Sequence, residues 1–160
     1  MIQRIQTVYL LLATVLMAMT LMMPLATITN GTNEIVFTAF GVTGLPESFG
    51  KVSSQLPIYL GGLLLLPTLL PIVIIFLFKK RMLQIRLCVS ELVLQLGALA
   101  FIGIYCYRLY DVIDSSIKSK WIFTLGWASI MPIVAMILTG LAIRGIAKDE
   151  ALVRSLDRIR

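Results

Sequence analysis

Long apolar stretches alternate with short polar ones along this chain, and there are four of them, at residues 5–33, 52–78, 87–107 and 121–143. Only the third contains a charged residue, Glu91. A helix needs about 20 mostly apolar residues to cross a hydrocarbon layer about 30 Å thick, and a helix satisfies its backbone hydrogen bonds within one segment. The pattern predicts one membrane domain with spans at about residues 5–26, 56–78, 87–107 and 121–143.

Basic residues concentrate on one side of these predicted spans. Ten Lys and Arg lie before the first span, between the second and third, or after the fourth, whereas the other side has four: Lys51, Arg108, Lys118 and Lys120. The positive-inside rule therefore predicts that both termini are cytoplasmic. Tyr and Trp residues lie near the opposite interface, which favours the same orientation.

The connections between spans predict how they are arranged. Only residues 79–86 separate the second and third spans, so these two must be antiparallel neighbours. The outer loop, residues 27–55, contains an Asn30-Gly31 turn signal and predicts a β-hairpin of residues 25–29 against 34–40. The predicted fold class is an all-α membrane protein, a four-transmembrane-helix up-down bundle with a short extracytoplasmic β-hairpin and a cytoplasmic C-terminal amphipathic helix.

Two prolines, Pro67 and Pro71, lie one helical turn apart in the second predicted span. Each removes a backbone donor and clashes with the carbonyl one turn earlier, which predicts a kink or a locally opened helix. Such a helix either shapes the packing of the bundle or lines a substrate path. We favour packing, because proline is common in membrane helices.

Glu91 is the one acidic residue within a predicted span, and helical spacing places Cys88 and Gln95 on its face. An ionisable group in hydrocarbon costs about 2.5 to 3.5 kcal/mol on insertion scales, so Glu91 must face the bundle and bind a partner. Basic candidates occur near the same end of the bundle: Arg4 and Arg144, with Arg81 and Arg86 as alternatives. Glu91 is interpreted either as a structural clamp between helices, which its isolation favours, or as a proton or ion site.

The cytoplasmic tail, residues 144–160, has the pattern of an amphipathic helix. Leu152, Leu156 and Ile159 recur at helical spacing, and Glu150 lies one turn before Arg154. There are four alternatives for this helix: it extends the fourth span into solvent, it lies on anionic lipid, it docks against residues 79–86, or it binds a protein. Its alternating charges favour protein contact over a lipid anchor. The candidate partner-binding residues are Asp149, Glu150, Arg154, Asp157 and Arg158.

Composition narrows the classes of function. The hydrophobic fraction of 59% exceeds the ordinary 45 to 50% of soluble domains, and the charge of +6 lies at span ends beside lipid headgroups, which argues against nucleic-acid binding. The chain has no histidine, and Cys88 and Cys106 are about 27 Å apart if one helix carries both. Phosphate-loop and nucleophile motifs are absent as well. We predict no catalytic residue, no metal site and no cofactor.

Two terminal segments carry a family resemblance: residues 1–10 (MIQRIQTVYL) and residues 148–160 (KDEALVRSLDRIR). They resemble a family of small bacterial four-span membrane proteins known only as a domain of unknown function. The resemblance implies a bacterial inner-membrane location and transfers no activity. It draws attention to Gln3, Arg4 and Gln6 in the first segment and to the candidate partner-binding residues in the second. We expect both sets to join Glu91 in one polar cytoplasmic cluster.

These observations favour a non-enzymatic accessory or assembly subunit of a larger membrane complex. Its expected partners are the lipid bilayer and either other membrane proteins or further copies of the chain. Small residues such as Gly97 and Gly140 allow close helix contacts. The alternative is a small ion- or solute-coupled transporter or channel that uses Glu91 and the kinked helix at Pro67 and Pro71.

Overall fold

The computed structural model describes residues 3–30, 33–44, 56–78, 80–116 and 122–157. Most of these residues are helical, in α1 (Gln3–Met22), α2 (Leu56–Phe76), α3 (Arg81–Ser116) and α4 (Met131–Asp157). Each helix contains an apolar section long enough to cross a membrane. The prediction of four long apolar helices is confirmed, and the fold is compatible with a multi-pass membrane protein.

The four helices pack as a ring in which α1 and α3 each contact both α2 and α4. A tight turn joins α2 to α3, where the Leu77 N–H donates to the Ile74 carbonyl and the Lys80 N–H donates to the Leu77 carbonyl. This turn, the start of α1 and the end of α4 lie at one end of the bundle, which we call the tail end. The opposite end carries the strands, and we call it the sheet end.

An antiparallel sheet of four strands covers the sheet end, with the strand order β3-β2-β1-β4. The strands are β1 (Ala26–Asn30), β2 (Asn33–Phe37), β3 (Val42–Thr43) and β4 (Ile122–Leu125). Ala26 pairs with Phe37 on one side and with Leu125 on the other, so β1 joins the first loop to the loop before α4. The expected hairpin is present as β1 and β2. Its register pairs Asn30 with Asn33. Residues 31 and 32, which connect the two strands, lie outside the described residues.

Several expected boundaries are wrong. Residues 122–125 form β4 and α4 begins at Met131, whereas the sequence predicted a span from residue 121. A short apolar run fits a strand as well as the start of a helix, so hydrophobicity does not separate the two. At the tail end, α3 already begins at Arg81, because charged residues continue a helix readily outside an apolar layer. The expected C-terminal helix is present as the last part of α4, which continues to Asp157.

Pro67 and Pro71 lie within α2, which is one continuous helix from Leu56 to Phe76. The expected local opening of this helix is not found. Each proline removes only its own backbone donor, and the bonds of the residues around it hold the turn together. The Thr68 hydroxyl also donates to the Leu64 carbonyl at 2.7 Å.

Backbone contacts attach the sheet to the helix ends. The Leu25 N–H donates to the Phe37 carbonyl, and the Gly126 N–H and the Ser129 hydroxyl both donate to the Leu25 carbonyl. Gly126 has to be glycine, because a Cβ there would collide with the Pro24 carbonyl oxygen. The sheet is therefore fixed on the bundle, and it adds Ala26 and Phe37 to the apolar core, next to Leu25, which precedes β1.

Candidate functional site

A cluster of hydrogen-bonded polar side chains lies inside the bundle between α3 and α4. It contains Glu91, Gln95 and Thr139, all fully buried, and we call it the inner polar cluster. The Gln95 amide nitrogen donates to Glu91 Oε1 at 2.9 Å, and Thr139 Oγ1 lies 3.2 Å from the same oxygen. Helical spacing of four residues brings Gln95 over Glu91, and Thr139 joins them from the neighbouring helix.

The Thr139 hydroxyl has two candidate acceptors for its single hydrogen. The carbonyl oxygen of Ala135, one turn earlier in α4, is 3.0 Å away, slightly closer than Glu91 Oε1. When the hydroxyl donates to Ala135, its oxygen remains free to accept from the Gln95 amide, which lies 3.4 Å away. The cluster can thus exchange hydrogen-bond partners without moving a helix.

Two oxygens of the inner polar cluster have no hydrogen-bond partner among the described residues, Glu91 Oε2 and Gln95 Oε1. Both are acceptors, and a buried acceptor left without a donor costs about 1 to 3 kcal/mol. The described donors that reach Glu91 all bond its Oε1: the Gln95 amide nitrogen, and the Thr139 hydroxyl, which also has the Ala135 carbonyl as an acceptor. The cluster therefore has the capacity to accept one more hydrogen or a cation.

No arginine is among the described hydrogen-bond partners of Glu91. Its described hydrogen-bond partners are the neutral groups of Gln95 and Thr139. Arg144 and Arg86 are exposed, and the side chain of Arg4 lies outside the described residues. Sequence reasoning named Gln95 and missed Thr139, whose one signal is that it is a polar residue in the apolar run of α4.

A second cluster, the tail-end polar cluster, contains Gln6, Arg81, Gln84 and Asp149. The Gln6 amide nitrogen donates to Asp149 Oδ2 at 2.9 Å, which ties α1 to α4, and both side chains are buried. The Arg81 guanidinium donates to the Asp149 carbonyl oxygen at 3.2 Å, and the Gln84 amide nitrogen donates to the Ile74 carbonyl at 2.9 Å. Together these bonds join all four helices within one layer.

A cavity of about 30 Å³ lies inside the tail-end polar cluster, next to the side chains of Leu10 and Ile146. A cavity with about 10 to 15 Å³ available to a water-sized probe holds one water molecule, provided that polar partners line it. Gln6, Arg81 and Asp149 line this one. The tail-end polar cluster therefore has room for water.

Gly145 allows α1 and α4 to approach closely at the tail-end polar cluster. A Cβ at this position would lie 2.8 Å from Gln6 Cγ, which is closer than Cβ atoms normally come. Any larger residue would push Gln6 away from Asp149. The Gln6–Asp149 contact therefore depends on a glycine one turn before the aspartate.

An apolar layer separates the two polar clusters. It consists of Leu10, Ile74, Cys88, Ala142 and Ile146, all buried. Thr139 and Asp149 are ten positions apart on α4, a separation of about 15 Å along the helix. The expected single polar cluster is therefore two clusters. Gln6 and Asp149, from the two terminal motifs, do meet, but they do not reach Glu91.

The other predicted tail residues differ in their surroundings. Asp149 is buried against Gln6 and is not presented to a partner, whereas Glu150 is half-buried at the surface. Arg154 and Asp157 belong to α4, with side chains outside the described part of the chain, and Arg158 lies outside it altogether. Two of the alternatives for the tail are observed together: the tail extends the fourth helix without a break as far as Asp157, and it docks against residues 79–86 through Arg81 and Asp149.

Sequence reasoning missed an apolar groove at the sheet end, between α3 and β4. The groove has a volume of about 310 Å³. Its lining is almost entirely apolar: Ile102, Gly103, Cys106, Tyr107, Tyr110, Phe123 and Leu125. Tyr110 packs edge-on against Phe123 with ring centroids 6.2 Å apart, which holds β4 beside the end of α3. The groove was not predicted, because one of its walls is formed by β4, a strand that hydrophobicity alone did not indicate.

The cysteines and acidic residues of the described chain do not assemble a metal site. No group of three His, Cys, Asp or Glu side chains comes together in the described ranges. Cys88 and Cys106 are both buried and unpaired there. The candidate functional polar groups of the described chain are therefore those of the two polar clusters.

Comparison with known proteins places the chain in a family. A protein-family model described as "Domain of unknown function (DUF4293)" matches residues 2–159. This match confirms the resemblance to a family known only as a domain of unknown function. No curated protein matches the chain.

Proposed function

We propose that this protein, which belongs to the DUF4293 family, is a non-enzymatic accessory or assembly subunit of a larger complex in the bacterial inner membrane. The tail end would face the cytoplasm, since described cations such as Lys80, Arg86 and Arg144 lie at that end.

The apolar groove at the sheet end is the observation that carries this proposal. Gly103 lines the groove, and a Cβ built on Gly103 would meet nothing within 4 Å. Leu125 and Tyr107, which also line it, are 59% and 68% exposed. A glycine among large apolar side chains allows a second helix to pack closely, as small residues do at helix contacts in membranes. We assign this groove to a helix of a partner membrane protein.

The interior of the bundle supports a structural role. Both polar clusters tie helices together, and the apolar layer of Leu10, Ile74 and Ile146 separates them. Intramembrane pathways for protons and ions usually string several ionisable groups through the membrane. In the described interior, the two buried acidic groups, Glu91 and Asp149, lie in separate layers and do not form such a string, which favours a function located on the outer surfaces.

Purification in mild detergent tests the proposal with a matched pair of variants. Gly103→Leu fills the groove, and Gly97→Leu places the same side chain on a different face of α3, where a Cβ also meets nothing within 4 Å. Both changes favour the helix and should preserve the fold. We expect a membrane protein to co-purify stoichiometrically with the wild type and with Gly97→Leu, and to be lost from Gly103→Leu.

Two results would contradict the proposal. One is a wild-type protein that purifies alone from its native membrane under conditions that preserve known complexes. The other is a co-purifying protein that Gly103→Leu retains as fully as Gly97→Leu does. The second result would mean that the partner binds elsewhere on the protein, and the assignment of the groove to a partner helix would be wrong.

A second candidate function is a small ion- or solute-coupled transporter, and the two unpartnered oxygens Glu91 Oε2 and Gln95 Oε1 are the observation that favours it. A site with spare acceptors can take up a proton or a cation during a transport cycle. Purified protein in liposomes should then move ions or solutes, and Glu91→Gln should abolish that flux while the protein stays folded. A wild-type protein without flux removes this candidate.

A further inference from the structure

A cationic groove lies at the tail end, between the start of α3 and the last turns of α4. It is open to the outside and has a volume of about 570 Å³. One part of its wall is cationic, with Lys80, Arg81 and Arg86, and another part is apolar, with Met82, Leu83 and Val153. This groove is at the opposite end of the bundle from the sheet-end groove assigned to a partner helix, and it shares Arg81 with the tail-end polar cluster.

The charge of the groove calls for an anionic ligand. Its three cations outnumber its one carboxylate, Glu150. Arg81 is held in place because its guanidinium donates to the Asp149 carbonyl oxygen at 3.2 Å, while Lys80 and Arg86 are exposed. A guanidinium presents several N–H donors in a planar fork that matches the oxygens of a phosphate group. A phosphate is therefore the anion that this wall suits best.

The apolar surface next to the groove calls for a ligand with hydrocarbon chains. Val89, Val93 and Leu96 follow Arg86 along α3 at intervals of three or four residues, so they form one stripe on the same face. All three are exposed, Val93 to 65%. A small soluble anion or an acidic peptide would use the cations and leave this stripe uncovered. A phospholipid would use both.

We infer that the tail-end cationic groove binds an anionic phospholipid. Arg81 and Arg86 hold its phosphate, Lys80 adds a third positive charge, and the acyl chains lie along Val89, Val93 and Leu96. The site lies where a helix would leave the hydrocarbon region, which is the depth of lipid headgroups. In the predicted orientation this is the cytoplasmic leaflet, whose anionic lipids attract basic residues near a membrane surface.

The inference is tested by native mass spectrometry of the full chain in detergent, titrated with phosphatidylglycerol and, separately, with phosphatidylcholine. Arg86→Gln and Lys80→Gln remove groove cations, and Arg144→Gln removes an exposed cation of α4 outside the groove. We expect a preference for phosphatidylglycerol that falls about fivefold with each groove variant, the effect of one cation near an anionic surface. Arg144→Gln should bind the lipid as the wild type does.

Further arms of the experiment separate the ligand classes. Inorganic phosphate and an acidic peptide should not displace the bound lipid, because neither covers the apolar stripe. Equal binding of the two lipids would overturn the inference. An equal loss of phosphatidylglycerol binding in Arg144→Gln and Arg86→Gln would overturn it as well. Displacement by the acidic peptide would reassign the groove to a protein segment. Unfolding temperatures of the variants provide the control for folding. The lipid preference of the wild type tests the inference even if a variant does not fold.

Discussion

The two polar clusters of this protein tie helices together in different surroundings. The inner polar cluster joins α3 to α4 through fully buried side chains, and its described donors are neutral. The tail-end polar cluster joins α1 to α4 through Gln6 and Asp149, which are 8% and 9% exposed, and it includes the cation Arg81 and a small cavity.

The difference shows how the depth of a polar contact in the bundle changes its contribution to stability. At the tail end, a broken hydrogen bond can be replaced by water from the cavity or the nearby surface, so its loss costs little. In the inner polar cluster, the apolar layer on one side and the apolar core on the other leave the side chains only one another as partners. We therefore expect substitutions in the inner polar cluster to have the larger effects.

The largest effect is expected for Glu91→Ala. This change removes the acceptor shared by Gln95 and Thr139 and leaves a cavity, so the free energy of unfolding should fall by about 2 to 4 kcal/mol. Denaturant unfolding in detergent micelles measures it. Glu91→Gln keeps an acceptor oxygen in place and serves as the control, with a loss below about 1 kcal/mol. If Glu91→Ala lowers the free energy of unfolding no more than Asp149→Ala does, the inner polar cluster does not contribute more stability than the tail-end polar cluster.

A smaller effect is expected for Thr139→Val, which keeps the size of the side chain and removes the hydroxyl. We expect a loss of about 1 kcal/mol in the free energy of unfolding, since one interhelical hydrogen bond disappears. Thr20→Val is the matched control, because Thr20 is also fully buried but its hydroxyl bonds only within its own helix, to the Leu16 carbonyl. Equal losses in both variants would show that the contact with Glu91 contributes nothing.

Asp149→Ala should lower the free energy of unfolding by about 0.5 to 1.5 kcal/mol, the range for one hydrogen bond that water can partly replace. The double variant with Gln6→Ala should lose less than the sum of the two single variants, because the partners share one contact. A thermodynamic cycle from chemical unfolding measures this coupling. Strict additivity would mean that the bond between Gln6 and Asp149 is not formed in solution.

The smallest net effect is expected for Gly145→Ala. The added Cβ displaces Gln6, but alanine also favours the helix by up to about 1 kcal/mol, so the two contributions nearly cancel. In a Gln6→Ala background the clash is gone, and Gly145→Ala should become stabilising. Gly140→Ala, where a Cβ meets nothing within 4 Å, is the control and should stabilise in either background. Unfolding temperatures in detergent distinguish these outcomes.

The parts of the fold that were predictable are those set by local pattern. Uninterrupted apolar runs predicted four long helices, and the turn signal with its β-branched flank predicted the pairing of β1 and β2. Pairing of β1 with β4 joins residues nearly a hundred positions apart, and no local pattern records it. Helix ends were misplaced at both ends of the bundle, because the edge of an apolar run is not the end of a helix.

The polar contacts were only partly predictable for a related reason. Glu91 was conspicuous as a charge in an apolar run, and helical spacing gave Gln95 as its neighbour. Thr139 was inconspicuous, because a threonine in a helix can bond its own preceding turn, as it also does here with Ala135. Gln6 and Asp149 were singled out by the terminal motifs, but their contact depends on the packing of the first helix against the last.

Strand β4 has a consequence for how the protein is made. Among the described strands it is the last in the sequence, yet it pairs with the first, so a nascent chain that has emerged only through Ser116 leaves one edge of β1 without this partner. An open edge strand invites pairing with another polypeptide. Synthesis and pairing of the segment before α4 close that edge, so the late part of the chain protects the early part against misassembly during biogenesis.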